Sequence, residues 1–325
     1  MRSQSHLFAV IALVACLYVS HHVLAQSYPT RPIRLVVPYV PGGGNDNLAR
    51  PLAQKLTENL GKQVVVENRG GAGSMIGAAI VAQAPPDGHT LLLCSIATHV
   101  TSPQLYREVP YDPFKDFAPI TLLVTGPILL VAYDKLAINS VKELVDFAKA
   151  NPGKLTYASG GIGSSSHLAA ELFNSMAGIN ILHVPFKGGG DAVTAIFAGR
   201  IDLQFPSAAS YLPYVKAGRL KALALARKSR WPDLPSVPTF TEAGWPQYQS
   251  ENWWGLCAPA KTSKYIIDRL NQETSKALAS NDLRQNIQNM VADPVGNSPQ
   301  EFTNFLHTEY EKYRKIIKAL GIRAE

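Results

Sequence analysis

The sequence predicts an α/β protein of two domains, each built on a mostly parallel β-sheet flanked by helices. Its 325 residues are 46% hydrophobic and 17% charged, which supplies enough apolar material for two globular domains and excludes disorder as the main state. A short apolar strand, a glycine-rich loop and an amphipathic helix follow one another repeatedly along the chain. Such regular alternation is typical of parallel sheets covered by helices.

The first of these units shows the pattern most clearly. Residues 33–39 form an apolar run that predicts a buried strand, and Pro41–Asp46, with three consecutive glycines, can continue neither strand nor helix. Leucines at 48, 52, 56 and 60 then recur on one face of a helix. Because proline breaks a helix interior, we expect Pro51 in the first turn and the helix start near Asn45–Asn47.

The same order recurs further along the chain. Apolar runs predict further strands at 64–66, 90–94, 155–159 and 181–185, and glycine loops follow at 70–73, 160–163 and 188–190. Two sequences typical of helix starts, Ser140-x-x-Glu143 and Ser298-x-x-Glu301, are capping boxes that place helix N-termini.

Two segments are expected to cross between the domains and to form the hinge. The apolar stretch 120–131 is interrupted by Thr125-Gly126-Pro127, and residues 231–254 are rich in aromatic residues and proline. One domain would comprise residues 26–124 and 248–325, and the other, residues 125–247, would be inserted in it. Open parallel sheets bind ligands beyond the carboxyl ends of their strands, so the ligand is expected between the domains.

The N-terminus reads as a secretory signal. Arg2 precedes an apolar stretch, and residues 23–25 suit cleavage after Ala25, which predicts a periplasmic protein. An alternative is a lipoprotein signal at residues 13–16, in which Cys16 would carry the lipid. Past residue 25, the chain contains no run of about 20 apolar residues that would cross a bilayer.

Glycine loops that lead into helices predict an anion site. The first amides of a helix have no internal partner, and the helix dipole adds about half a positive charge at that end. Two such ends are Gly42–Gly44 and Gly160–Gly163, the second followed by Ser164–Ser166. Facing each other, they would hold the carboxylates of one small ligand; the alternative is that the glycines only permit tight turns.

Several polar residues near these loops have two interpretations. Asp46 would repel an anion and is expected to cap its helix. Lys187 either pairs with an anion or faces solvent, and His99 and His167 are candidates for ligand contact. His89 and His183 are expected to be structural.

Composition and motifs disfavour most enzyme classes and cofactors. The formal charge of +7 is spread thinly, which argues against nucleic-acid binding, and the three cysteines form no C-x-x-C pair. No phosphate-binding G-x-x-x-x-G-K-[ST] or G-x-S-x-G motif occurs, and the glycines of 71–77 lack the acidic ribose partner of a dinucleotide site. No histidine spacing suits a catalytic metal. Cys94 and Cys257 are either buried free thiols or, if their strands are neighbours, a disulfide.

Six ordered blocks resemble the Bug family of extracytoplasmic receptors for tripartite tricarboxylate transporters, over nearly all of the chain past residue 25. They are Tyr28-Pro29-x-Arg31-Pro32-Ile33, Pro41-Gly42-Gly43-x-x-Asp46, Val64-Val65-Val66-Glu67-Asn68-Arg69-x-Gly71-Ala72-Gly73, Pro86-Asp87-Gly88-x-Thr90-Leu91-Leu92, His183-Val184-Pro185-Phe186-Lys187-Gly188, and Val237-Pro238-Thr239 with Glu242-Ala243-Gly244.

The resemblance implies a two-domain periplasmic binding protein, type II-like and monomeric, that closes around a small carboxylate and presents it to a membrane permease or a sensor. No cofactor, metal or nucleic acid is expected. The implied ligand-binding residues are Tyr39, Pro41, Gly42, Gly43, Gly44, Asp46, Ser95, Thr98, His99, Gly161, Gly163, Ser164, Ser165, Ser166, Lys187, Gly188, Gly189, Phe205 and Ser207.

One departure from the family pattern bears on the ligand. Pro206-Ser207 stand where many relatives carry an acidic residue, which disfavours an amino-acid ligand. Tyr39, Phe205, Tyr211 and Trp253 are candidates for packing against the ligand's second end. The rival hypothesis from another class is a secreted enzyme that acts on a carboxylic acid in the same cleft.

Overall fold

The computed structural model describes residues 28–41, 44–186, 189–321 and 323. The predicted signal peptide and Cys16, and the site candidates Gly42, Gly43, Lys187 and Gly188, lie outside the described residues. Within the described part of the chain, no helix combines the length and the apolar character that a membrane crossing needs.

Two β-sheets organise the chain. The first sheet contains β1 (Ile33–Val37), β2 (Val64–Asn68), β3 (Thr90–Ser95), β4 (Phe117–Pro127), β10 (Glu251–Pro259) and β11 (Asp293–Pro294), in the order β11-β4-β10-β3-β1-β2. The second sheet contains β5 (Leu129–Tyr133), β6 (Thr156–Ser159), β7 (Leu182–Pro185), β8 (Leu203–Gln204) and β9 (Leu220–Leu225), in the order β7-β6-β8-β5-β9.

Ten α-helices of the described chain flank the sheets. They are α1 (Gly44–Leu60), α2 (Met75–Ala82), α3 (Ser102–Leu105), α4 (Val141–Ala150), α5 (Ser165–Ala177), α6 (Gly189–Phe197), α7 (Ala208–Lys216), α8 (Lys264–Leu278), α9 (Asn281–Asn289) and α10 (Pro299–Leu320). A 3₁₀ turn (Ala72–Ser74) precedes α2, and a π-helical turn (Ala97–Thr101) precedes α3.

The sheets are mixed, whereas the sequence predicts mostly parallel ones. Strand β1 runs parallel to β2 and β3, and β6 runs parallel to β7 and β8, as predicted. The two strands that connect the sheets break the pattern: β10 is antiparallel to β3 and β4, and β5 is antiparallel to β8 and β9. Strand β10 begins beside Pro127, where β4 leaves the first sheet, so it runs back along β4 in the antiparallel direction.

The predicted stripe on α1 packs as expected, but Pro51 does not. The four leucines of α1 are buried in the cluster that covers one face of the first sheet. The helix begins at Gly44, so Pro51 lies inside it rather than in the first turn. Proline removes the hydrogen bond to the carbonyl of Asn47. Because Asn47 is exposed, water can take the place of the missing donor.

The helix starts follow their predicted chemistry. Ser298 and Glu301 form a complete capping box at the start of α10. At the start of α4, the Ser140 side chain accepts a hydrogen bond from the backbone N–H of Glu143. Each pair satisfies amides that the helix leaves without partners, so these short motifs fix where the helices begin.

The two sheets are joined by the crossing of the chain and by contacts between the residues that pack around them. Residue Ile128 separates β4 from β5, so the first crossing is a single residue long. Leu168 of α5 is buried in a cluster of the first sheet, and Val291, just before β11, is buried in a cluster of the second sheet. The Arg227 guanidinium, beyond β9, donates to both carboxylate oxygens of Asp293 in β11.

Candidate functional site: a cleft between the two sheets

A cleft of about 1500 Å³ lies between the sheets, at the carboxyl ends of their parallel strands. Tyr39 follows β1 and Ser95 ends β3 on one wall; Gly160 follows β6 and Pro206 follows β8 on the other. This is the edge at which open α/β sheets bind ligands, because helix N-termini point towards it. The sequence therefore brings several loops of both sheets to one space.

On the first wall, Tyr39 organises a cluster of hydroxyl groups. Its phenol oxygen lies 2.7 Å from Ser95 Oγ, and a hydrogen bond to Ser74 is also present. Burial is the main cause that raises the pKa of Tyr39, so the phenol stays neutral and keeps its proton. This wall offers hydroxyl groups rather than charges.

The same wall holds a run of left-handed backbone just before α2. Ala72, Gly73 and Ser74 have φ angles of 46°, 61° and 75°. For the two residues with a side chain this conformation costs about 1–2 kcal/mol each. The Ser102 hydroxyl donates to the carbonyl of Gly73 at 2.6 Å and helps to hold the turn in place. Gly73 and Ser74 thereby face the cleft.

On the second wall, the loop before α5 satisfies many of its own amides. The N–H of Gly160 donates to Ser166 Oγ, that of Gly161 to Ser159 Oγ, and that of Gly163 to His167 Nδ1. The Ser164 side chain is the N-cap and accepts from His167 N–H. The glycine amides are thus structural, although the sequence analysis assigned them to the ligand.

Three amides of this loop and helix start remain available. Within the described residues, the N–H groups of Ile162, Ser165 and Ser166 make no hydrogen bond to a protein acceptor. All three residues line the cleft. Because these amides lie at the positive end of the helix dipole, they are suited to donate hydrogen bonds to one anionic group.

Two stacked histidines support this wall from behind. The rings of His167 and His183 lie 4.0 Å apart, centroid to centroid, and His183 Nε2 lies 2.6 Å from Ser159 Oγ. Burial lowers the pKa of both to about 4, and for His167 the nearby His183 adds to the effect. Both rings are therefore neutral at pH 7, and His167 Nδ1 can accept the Gly163 N–H.

The second helix start on this wall, that of α7, lacks the side-chain cap that α5 has. Ser207 is the N-cap of α7, yet its hydroxyl makes no cap hydrogen bond, and the residue lines the cleft. Among the described lining residues, only Asp191 and Arg200 carry a formal charge. Both side chains are exposed. The described lining therefore consists mainly of neutral polar and apolar residues.

The structure brings eight of the predicted site residues together on the cleft walls. They are Tyr39, Ser95, Gly161, Gly163, Ser164, Ser165, Ser166 and Ser207. Of the four aromatic packing candidates, Tyr39, Tyr211 and Trp253 line the cleft, while Phe205 is buried in the core of the second sheet.

Five further candidates do not line the cleft: Pro41, Asp46, Thr98, His99 and Phe205. Gly44 and Gly189 are the first residues of α1 and α6. Thr98 and His99 are fully buried because the chain turns into a helix directly after β3, which points both side chains inwards. Asp46 lies in the first turn of α1 and accepts from Asn68 and Arg50. His167 lies behind the wall and orients the loop through Gly163.

Sequence reasoning missed several lining residues, among them Asn45, Gly73, Ser74, Tyr106, Asn252 and Trp254. For Gly73 and Ser74 a signal was available, since they follow a predicted strand in a glycine loop, as the chosen loops do. Trp254 carried none. Trp254 lies in β10 opposite Ser95, and its indole N–H donates to Asn45 Oδ1.

Comparison with known proteins relates most of this chain to one family. The family model described as "Tripartite tricarboxylate transporter family receptor" matches residues 48–322. The chain is 38% identical over 319 residues to the "UPF0065 protein in tcbD-tcbE intergenic region" of Pseudomonas sp. strain P51, covering 97% of this chain and 95% of that protein. It is 33% identical over 323 residues to "Protein BugT" of Bordetella pertussis, covering 99% of each.

Solved structures of similar sequence share the fold. "R. palustris Rpa4515 with adipate" superimposes with a TM-score of 0.82 at 35% identity, covering 91% of this chain and 99% of that one. "MatC (Rpa3494) from Rhodopseudomonas palustris with bound malate" gives a TM-score of 0.77 at 32% identity, covering 89% and 100%. The two-domain periplasmic binding protein fold predicted from the sequence is thereby confirmed.

Proposed function

Because the chain belongs to the tripartite tricarboxylate transporter receptor family, whose members are periplasmic solute-binding proteins rather than enzymes, we propose that it captures a small mono-, di- or tricarboxylate in the cleft between its sheets. Adipate and malate in the similar structures are dicarboxylates of this size class. The bound acid would then pass to the membrane permease of a tripartite tricarboxylate-type transporter.

The observation that carries this proposal is the set of open amides at the start of α5. Ile162, Ser165 and Ser166 present three donors to the cleft, and the helix dipole favours a negative charge beside them. Hydrogen bonds from amides to a carboxylate are charge-assisted and stronger than neutral ones. One carboxylate of the ligand fits this site, and the hydroxyl groups around Tyr39 face it from the first wall.

Closure of the cleft is part of the proposed mechanism. A small dicarboxylate fills only a fraction of about 1500 Å³, so contact with both walls requires the walls to approach each other. We propose that residues 26–124 with 248–325 and residues 125–247 move as the two domains. The ligand would stabilise the closed state because only that state lets both walls bind it.

The proposed amide site can be tested at Ser165, the first residue of α5. Ser164 has φ −64° and ψ 157°, a conformation that a following proline requires, and proline is tolerated at the first helical position. Ser165→Pro therefore removes one N–H without disturbing the helix. Ser165→Ala is the matched control, because it removes the hydroxyl and keeps the amide.

The measurement is calorimetric titration of the purified protein with adipate, malate and citrate, and with adipamide as the uncharged analogue of adipate. We expect at least one acid to bind and the diamide not to bind. Loss of one charge-assisted hydrogen bond, about 1.5–3 kcal/mol, should weaken binding by Ser165→Pro roughly 10- to 100-fold. Equal affinity of Ser165→Pro and Ser165→Ala, or binding of the diamide as tight as that of the acid, would contradict the proposal.

A further inference from the structure

Two cysteines meet in the core of the first sheet. Cys94 lies in β3 and Cys257 in the neighbouring antiparallel strand β10, and both are fully buried in one apolar cluster. Their Sγ atoms lie 2.7 Å apart. A bridge requires the two strands to be neighbours, and β3 and β10 are.

The register of the two strands places the cysteines diagonally. Cys94 faces Gly255, and Cys257 faces Leu92. Diagonal Cα atoms typically lie about 7–8 Å apart, at or beyond the upper limit for a disulfide, so the bond requires converging side chains and a small shift of the two strands. Here both side chains converge over the sheet. A disulfide bond of about 2.05 Å requires only a small further approach of the two sulfurs.

His99 is the third polar group of this buried site. Its Nε2 lies 3.8 Å from Cys257 Sγ, and its Nδ1 lies 2.9 Å from Thr98 Oγ1. Two thiolates and an imidazole are also a ligand set for a soft metal ion. Around a tetrahedral ion with metal–sulfur bonds of about 2.3 Å, however, the sulfurs would lie roughly 3.7 Å apart. The observed separation leaves no room for an ion between them.

We propose that Cys94 and Cys257 form a structural disulfide when the exported chain folds in its oxidising compartment. Members of this family are periplasmic receptors, and disulfides form and persist in the periplasm. The bond would join strands that lie 163 positions apart along the chain, on either side of the entire second sheet.

The oxidant is an external disulfide, either of a thiol–disulfide oxidoreductase or of a small molecule. One cysteine thiolate attacks a sulfur of that disulfide, which forms a mixed disulfide and releases one thiol. The second cysteine then attacks the protein sulfur of the mixed disulfide and releases the second thiol. The protein loses two protons and two electrons, and the oxidant gains them.

The order of events follows from burial. Burial raises the pKa of the Cys257 thiol, so the folded reduced protein holds an unreactive thiol that no reagent reaches. The bond therefore forms before the two strands are covered. Once formed, the bond lowers the conformational entropy of the unfolded chain and so stabilises the folded state.

The test uses the full-length chain exported to the periplasm of a Gram-negative host through its own leader. The protein is denatured in iodoacetamide without reductant, digested and mapped by mass spectrometry. We expect the peptides of Cys94 and Cys257 to be linked, and both cysteines to be alkylated only after reduction. The same chain made in a reducing cytosol should show two free thiols.

Stability provides a second readout. Reduction of the wild-type protein, or the double variant Cys94→Ala with Cys257→Ala, should lower Tm by about 5–10 °C. The wild-type mapping remains informative if the double variant fails to fold. Alkylation of both cysteines in the unreduced exported protein would overturn the proposal. So would a native mass that shows one bound zinc or copper ion while both thiols stay free.

Discussion

His167 links the loop before α5 to the helix itself, and this link should depend on pH. The Nδ1 atom accepts the N–H of Gly163 at 3.0 Å, which requires Nδ1 to be unprotonated. Burial first, and then the stacked His183, lower the pKa of His167 from 6.5 to about 4. We therefore consider how acidification changes the stability of the wild type and of a variant whose residue 167 does not titrate.

The sign and size of the change in stability with pH follow from proton linkage. Between pH 6.5 and about 4 the unfolded chain binds a proton at His167 and the folded protein does not. Stability is therefore complete above pH 6.5 and falls as the pH drops towards 4. A difference of about 2.5 pKa units corresponds to roughly 3 kcal/mol, since each unit is about 1.4 kcal/mol.

The assay is urea unfolding at several pH values between 7.5 and 4 for the wild type and for His167→Asn. The Asn Oδ1 atom can accept the Gly163 N–H in place of Nδ1, but the amide does not titrate. The free energy of unfolding of the wild type, minus that of the variant, should fall by about 3 kcal/mol across this range. His167→Ala, which leaves the Gly163 amide without an acceptor, should be about 1–3 kcal/mol less stable than His167→Asn at every pH.

A difference in unfolding free energy between wild type and His167→Asn that stays constant from pH 7.5 to 4 would show that His167 is not the acid-sensitive group. The acid sensitivity would then have to come from groups present in both proteins, such as His183, whose pKa burial also lowers to about 4.

Three further changes test other parts of the structure. Gly163→Ala places a Cβ against the side chain of Leu105, at a residue whose φ is +77°. In a Leu105→Ala background this overlap is relieved, so Gly163→Ala should then lower the free energy of unfolding in urea only by the backbone strain, about 1–2 kcal/mol relative to Leu105→Ala alone. Arg227→Lys keeps the charge but loses the two-pronged contact with Asp293, so thermal unfolding should show a loss of about 1 kcal/mol, less than for Arg227→Ala. Ser298→Ala removes the capping box of α10 and should cost about 1 kcal/mol, whereas Ser298→Asp, still an N-cap residue, should cost less.

The elements were predictable wherever local chemistry decides them. The leucine stripe of α1 and the capping box at Ser298 depend on residues a few positions apart, so the sequence contains all the information needed. The relative direction of the strands was harder to predict from the sequence. Periodicity identifies a strand but not its neighbour, and the antiparallel placement of β10 depends on the whole segment between the sheets.

The candidate site was predictable to the level of its loops but not of its atoms. Ser165 and Ser207 follow strands at the expected edge, and both line the cleft. The amides of Gly161 and Gly163 were expected to be open, yet Ser159 and His167 occupy them. Which donors a loop keeps for itself depends on side chains that fold back from the following helix and the neighbouring strand, and spacing alone does not reveal this.

The exchange of Leu168 and Val291 between the two sheets' clusters restricts how the molecule can move. If the two domains rotate relative to each other as proposed, both side chains stay buried only when the rotation axis passes close to them. A wider opening would expose both side chains to water, at a cost of about 1.5–3 kcal/mol for each. We therefore expect the burial of Leu168 and Val291 to limit how far the cleft can open.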